Sequence, residues 1–135
     1  MAINLIKLSI ILYFIFASSL TIAQNKIEVY QRQVSENLSK SSTDELVWIR
    51  AFNNTYNKFC TSHETNKRYN LFSKVATKTI IDQLMDRGDL NALWQGKYGY
   101  RKAQLISLKK RIGNSEYCNC VYNHVIKGNS ACLKQ

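Results

Sequence analysis

Four cysteines, Cys60, Cys118, Cys120 and Cys132, constrain this chain more than any other feature it has. In an oxidising compartment an even set in a small domain becomes disulfides, and two bridges then decide which segments must meet. In a reducing one the same residues stay thiols, free to bind metal or to act as nucleophiles. The N-terminus speaks to that choice.

Lys7 is the only charge among the first 23 residues, and no acidic residue precedes Glu28. From Leu8 the chain reads LSIILYFIFASSLTIA, an apolar run as long as a signal-peptide core and too short for a comfortable bilayer span. It closes on Thr21-Ile22-Ala23, where Ala23 suits the last position before a cleavage site and Thr21 is acceptable two residues earlier. No cysteine lies near that junction, which excludes a bacterial lipoprotein anchor. The thin positive flank of Lys7 leaves an uncleaved signal anchor as the competing reading. We expect residues 1–23 to be a cleaved signal peptide and residues 24–135 a single exported domain. It would be periplasmic in a Gram-negative bacterium and otherwise secreted.

Oxidised sulfurs follow from export. Of the three pairings, Cys118–Cys120 is the least favourable, because residues two apart on a helix point to nearly opposite sides. Cys60 therefore joins one member of the Cys-x-Cys pair, and Cys132 joins the other. The bridge from Cys60 closes a loop of about 60 residues, credited with roughly 4 kcal/mol by loop entropy.

The chain has no proline, which favours uninterrupted helices over a turn-rich β fold. Ile27, Tyr30, Val34 and Leu38 recur at helical spacing over residues 25–39. Ser42-Thr43-Asp44-Glu45 reads as a capping box for a second helix, which carries Leu46, Ile49, Phe52 or Asn53, Tyr56, Phe59 and Cys60 on one side. A third helix, about 67–87, buries Tyr69, Phe72, Val75, Ala76, Ile80 and Leu84 and stops at Gly88. Asp89 is expected to cap a short helix from Leu90 to Gln95. The two glycines of GKYGY, residues 96–100, predict a turn or loop. A further helix, about 101–112, then buries Leu105, Leu108 and Ile112. Ser115 is expected to cap the last one, with Cys118, Val121, Tyr122 and Val125 on its apolar face until Gly128. No stretch alternates with period two for long. The expected fold is all-α: a small irregular bundle of four to five helices, crossing orthogonally and stapled by two disulfides.

That layout favours one pairing. Cys118 shares the apolar face and should meet Cys60 in the core, while a turn at Gly128 carries Cys132 back towards Cys120. The crossed scheme stays open, since sequence alone does not fix connectivity.

Chemistry-bearing constellations are few. Cys118-x-Cys120-x3-His124 has a spacing that can chelate zinc or copper, but disulfides would consume its sulfurs, so we expect no metal and no cofactor. An even cysteine count leaves no thiol nucleophile for His63 or His124 to activate. Glu64 beside His63 is the one carboxylate with a suggestive neighbour, and a solvated loop explains it more simply. No nucleophile elbow, zinc-protease signature or phosphate-cradling loop occurs. An enzyme is not expected. Asn37-Leu-Ser39 and Asn53-Asn-Thr55 match the glycosylation sequon, which matters only in a eukaryotic source.

The most distinctive stretch is Trp94, Lys97, Tyr98, Tyr100, Arg101 and Lys102, followed by Lys109, which helical spacing brings to the same side as Lys102. Aromatic rings interleaved with cations can stack on a ligand and hold an anion. The competing reading packs Trp94 in the core and leaves the lysines as a solvated face. The 19 Lys and Arg outweigh the 9 Asp and Glu, which points to an acidic partner. We expect a small exported non-enzymatic binding protein of inhibitor or immunity type, docking on another macromolecule, in the first place a protein. The alternative is a basic protein that contacts membrane, glycan or nucleic acid.

Overall fold

The computed structural model describes residues 24–94 and 96–134; the expected signal peptide lies outside them. The described chain is all helical, without a strand. Helix α1 covers residues 24–39, followed by α2 (Thr43–Phe59), α3 (Asn66–Asp86), α4 (Gly96–Ile112) and α5 (Asn114–Val125). Short 3₁₀ helices occupy Leu90–Leu93 and Ala131–Lys134. The chain divides at Gln33 and Val34 into two units. In the first, residues 24–33 are helical, and Ile27 and Val29 are exposed. The bundle belongs to the second.

Helix α2 is the organiser. Ser42 accepts from the Glu45 amide while the Glu45 carboxylate takes the Ser42 amide. That is the expected capping box, a device that stabilises a helix start by about 1 kcal/mol. Downstream, Leu46, Ala51, Phe52 and Tyr56 are buried on its inner side. Asn53 and Thr55 are buried as well, and each is matched to a tyrosine. The Tyr69 hydroxyl donates to Asn53 Oδ1 at 2.6 Å, and the Tyr117 hydroxyl meets Thr55 Oγ1. Tyr69 also stacks on Tyr56 with ring centroids 3.8 Å apart. Burial pushes the Tyr117 phenol up to about 12, partly offset by its Thr55 hydrogen bond, and lifts Tyr69 well above its ordinary range. Three tyrosines thus supply apolar area and also satisfy polar groups that burial would otherwise leave costly.

Helix α3 reaches α2 through Tyr69 and then packs on α1, where Ser35 Oγ meets Thr79 Oγ1 at 3.2 Å. It ends as the glycine predicted. Gly88 takes φ +72°, its amide bonds to the Met85 carbonyl, and the Asp89 amide reaches the Leu84 carbonyl. This is a Schellman closure, which a left-handed residue makes available. Contrary to expectation, Asp89 is no side-chain cap for the 3₁₀ helix. Its carboxylate instead accepts from Thr43 Oγ1 at 3.1 Å. A cross-helix partner outcompetes the local one.

Two further expectations fail for tertiary reasons. GKYGY is the first turn of α4 rather than a loop. Each glycine costs a helix about 1 kcal/mol, but contacts with α2 and the core hold the turn in place. Lys97 Nζ lies 3.2 Å from Asp44 Oδ1, Tyr98 packs on the core cluster, and Arg101 sits over the Trp48 ring. Helix α5 starts at Asn114 with Gly113 as its cap, so Ser115 is inside it. Its position is fixed covalently and by Asn114 Nδ2, which donates to the Phe59 carbonyl at 3.0 Å.

Both disulfides pair as favoured, Cys60 with Cys118 and Cys120 with Cys132. The first is sealed in the core, with both cysteines 0% exposed. Two bridges are compatible with an extracellular protein. Among the described residues, no helix is long and apolar enough to cross a membrane.

Candidate binding surface

Helix α4 carries six of the seven candidate residues, and the structure sorts them into two groups. Three cations contact α2, two of them half-buried over aromatic rings and Lys97 in a solvent-exposed ion pair. Lys97 pairs with Asp44, the Arg101 guanidinium lies 4.2 Å above the Trp48 ring, and Lys109 Nζ lies 4.0 Å above the Phe59 ring. These contacts climb both helices in the same direction, so α4 runs alongside α2 and in parallel with it. A cation over a ring face is worth roughly 0.5–1 kcal/mol when exposed and more when dry. Arg101 and Lys109 are therefore tied to the scaffold, while the Lys97 pair stays exposed to solvent. Tyr98 also packs inward, on the core cluster, and Lys102 is half-buried.

The other two aromatic members face out. Trp94 is 83% exposed and Tyr100 61% exposed. The reading that placed Trp94 in the core is overturned, because Leu93 takes the inward position of that 3₁₀ helix instead. Tyr100 is held in its outward pose by Gln104, whose Nε2 donates to the phenol oxygen at 3.1 Å. Arg101 bridges the two groups, since it donates to Gln104 Oε1 at 3.3 Å and also lies within 5.8 Å of the Tyr100 ring.

A second region escapes the sequence reading. Trp48 belongs to one stack of four groups: Arg101 above it, then Phe52 at 5.3 Å, then the His124 ring 4.9 Å further on. Two cavities open beside this stack, of about 400 and 480 Å³, and both are lined by Trp48 and Leu133. Trp48 lies off the apolar stripe of α2 as read from spacing, so periodicity alone passes over it. The available signal is that a large aromatic ring on a half-exposed flank needs a partner.

The catalytic and metal alternatives find no assembly among the described residues. His63 spends Nδ1 on Thr65 Oγ1 at 2.9 Å, and Glu64 lies beside it in the same loop. His124 Nδ1 meets Ser130 Oγ at 2.8 Å, and burial lowers its basicity. Of His63, Glu64 and His124, only His124 lines one of the two Trp48 cavities. The sulfurs of Cys118 and Cys120 are bonded to other sulfurs, so they are not thiolate ligands to a metal. Asn53 of the second sequon is 0% exposed and accepts from Tyr69, which bars a glycan there in the folded chain. Asn37 is exposed.

No protein-family model, curated protein or solved structure matches this chain. Its surface has to be read from its own chemistry.

Proposed function

We propose that this chain is an exported, non-enzymatic binding protein that docks on another protein, in the manner of an inhibitor or immunity protein. The observation that carries this reading is the outward Trp94 and Tyr100 pair on a scaffold tied by two disulfides. Trp and Tyr are the residues around which protein interfaces concentrate binding energy, and a rigid scaffold loses little entropy when it binds.

The same geometry favours a protein over a polyanion. Arg101 and Lys109, two of the cations of the α4 stretch, are tied to rings of α2, whereas its Trp94 and Tyr100 stand free at the surface. The remaining basic charge supports attraction to an acidic partner. Export rests on the apolar leader and on sulfurs that need an oxidising compartment. The non-enzymatic reading rests on the two histidines, each hydrogen-bonded to a hydroxyl group rather than to a carboxylate.

The test uses the immobilised mature chain and a Trp94→Ala/Tyr100→Ala variant, exposed to envelope or culture extracts from the source. The expected result is one defined protein, retained by the native chain at high salt and lost by the variant. Equal retention by both would remove the aromatic pair from the interface. Attachment only to anionic vesicles or heparin, abolished by salt, would transfer the function to the polyanion alternative.

A further inference from the structure

The two disulfides differ in what a reductant can reach. Cys60 and Cys118 are 0% exposed, and Cys120 is 3% exposed. Cys132 is half-buried, on a 3₁₀ helix none of whose residues is buried. Thiol–disulfide exchange needs a thiolate to approach one sulfur in line, so Cys132 offers the entry point of the molecule.

Cys132 belongs to a short return segment. At Gly128, with φ +69°, the chain leaves α5, and the Asn129 amide bonds back to the Asn123 carbonyl at 2.9 Å. Ser130 Oγ then meets His124 Nδ1 at 2.8 Å, and Cys132 bonds to Cys120. The next residue, Leu133, lines both Trp48 cavities. One accessible bond therefore holds a residue that lines both cavities beside the aromatic stack.

We propose that residues 128–134 are a redox-releasable strap over the Trp48 cavities. A dithiol, small or protein-borne, attacks the Cys132 sulfur, forms a mixed disulfide and expels Cys120 as a thiolate. That thiolate takes up the proton the reductant gave up. The second thiol of the reductant then breaks the mixed disulfide, releasing Cys132 as a thiol and leaving the reductant as its own disulfide. Two electrons have passed to the protein. The segment now keeps only its backbone and Ser130 hydrogen bonds and the partial packing of Leu133 on the core, with no fully buried side chain on its 3₁₀ turn, so without the covalent tie it swings out about Gly128. Leu133 leaves, and the apolar wall of Trp48, Ile49, Phe52 and Leu105 becomes open to solvent. Cys60–Cys118 stays shut and the bundle stays folded.

The test uses the full oxidised chain carrying Trp94→Phe, so that Trp48 is the sole emitter. It is titrated with dithiothreitol and trapped with iodoacetamide. Peptide mapping is expected to find alkylated Cys120 and Cys132 while Cys60 and Cys118 remain joined. At that point acrylamide should quench Trp48 as it quenches Trp94 in a Trp48→Phe chain, and far-ultraviolet circular dichroism should be unchanged. Leu133→Ala in the oxidised protein should raise Trp48 quenching with no reductant at all. Early appearance of Cys60 or Cys118 thiols would overturn the proposal. So would selective opening of Cys120–Cys132 that leaves Trp48 quenching where it was.

Discussion

Helix α5 carries two cysteines two residues apart, and their partners put them to opposite uses. Cys118 turns to Cys60 in the dry centre, beside Tyr117 and Val121, and joins positions 58 apart in sequence. Cys120 reaches out to Cys132 near the surface, across a separation of 12. Loop entropy rewards the long closure with about 4 kcal/mol and the short one with about 3 kcal/mol. The larger difference lies in the damage each rupture does. Opening the first removes the covalent tie between the end of α2 and α5 inside the buried core and forces two thiols into the space of one bond, whereas opening the second frees a surface segment. One bond specifies the fold, and the other specifies a surface.

The sharpest way to break that comparison is to remove each bond separately. Cys60→Ala with Cys118→Ala should lower stability by at least about 4 kcal/mol, a large part of what a domain of this size possesses. Cys120→Ala with Cys132→Ala should cost about 3 kcal/mol or less and leave the helix content intact. Urea melts followed by circular dichroism measure both. Equal losses, or the reverse order, would show that the buried bridge is not the keystone.

The core side of α5 and its neighbour α3 can be separated next. Tyr69→Phe strips the donor from Asn53 Oδ1, and Asn53 Nδ2 is already a buried atom without a partner. A fully buried amide left unsatisfied at both ends should cost about 2–3 kcal/mol. Tyr117→Phe should cost only about 1 kcal/mol, because Thr55 Oγ1 keeps the Ala51 carbonyl within 3.0 Å. Thermal unfolding of the two variants side by side decides the order.

Both rings also predict an alkaline limit. Their folded affinity for the proton lies above the ordinary value of 10.0, so the native state keeps protons that the unfolded chain releases. Stability is therefore full below about pH 10 and declines as pH rises further. Tyr69 and Tyr117 should therefore ionise only together with the loss of helix. An ultraviolet titration in which the whole phenolate signal is complete before any helix is lost would refute this.

How much of this is legible in the sequence divides along the same line between core and surface. The Ser42–Glu45 box and the Gly88 stop are readable because each depends on local geometry that admits one answer, and the apolar face of Cys118 favours Cys60 as its partner without closing the crossed scheme. GKYGY misleads because two glycines report only the intrinsic preference of the backbone. The contacts that override it, Asp44 for Lys97 and Trp48 for Arg101, come from a helix some 50 residues earlier. Asp89 and Ser115 mislead as caps for the same reason: a short polar side chain signals the ability to cap, not which partner wins. The candidate surface is half legible. The aromatic–cation stretch on α4 is visible, but not the division that turns its cations to α2 and its Trp94 to solvent. Trp48 leaves no periodic trace, since a stack built from α2, α4 and α5 exists only after the bundle has formed.

The smallest effect tests the flank side of α5. His124 packs on Phe52 and bonds to Ser130, and burial lowers its affinity for the proton below the ordinary value of 6.5. As pH falls below that value, the unfolded chain takes up a proton that the native one still refuses. Proton uptake then favours unfolding, so this contribution is complete above about pH 7 and is lost progressively as the solution acidifies. The loss should be modest, because the ring is only partly buried, and it should disappear from a His124→Gln chain measured across the same range. It should also vanish from the native chain once Cys120–Cys132 has been selectively reduced, if the strap then withdraws and water reaches the imidazole. A pH dependence that survives reduction unchanged would mean that the ring keeps its cover without the bond, and the contrast between the two disulfides would narrow to loop length alone.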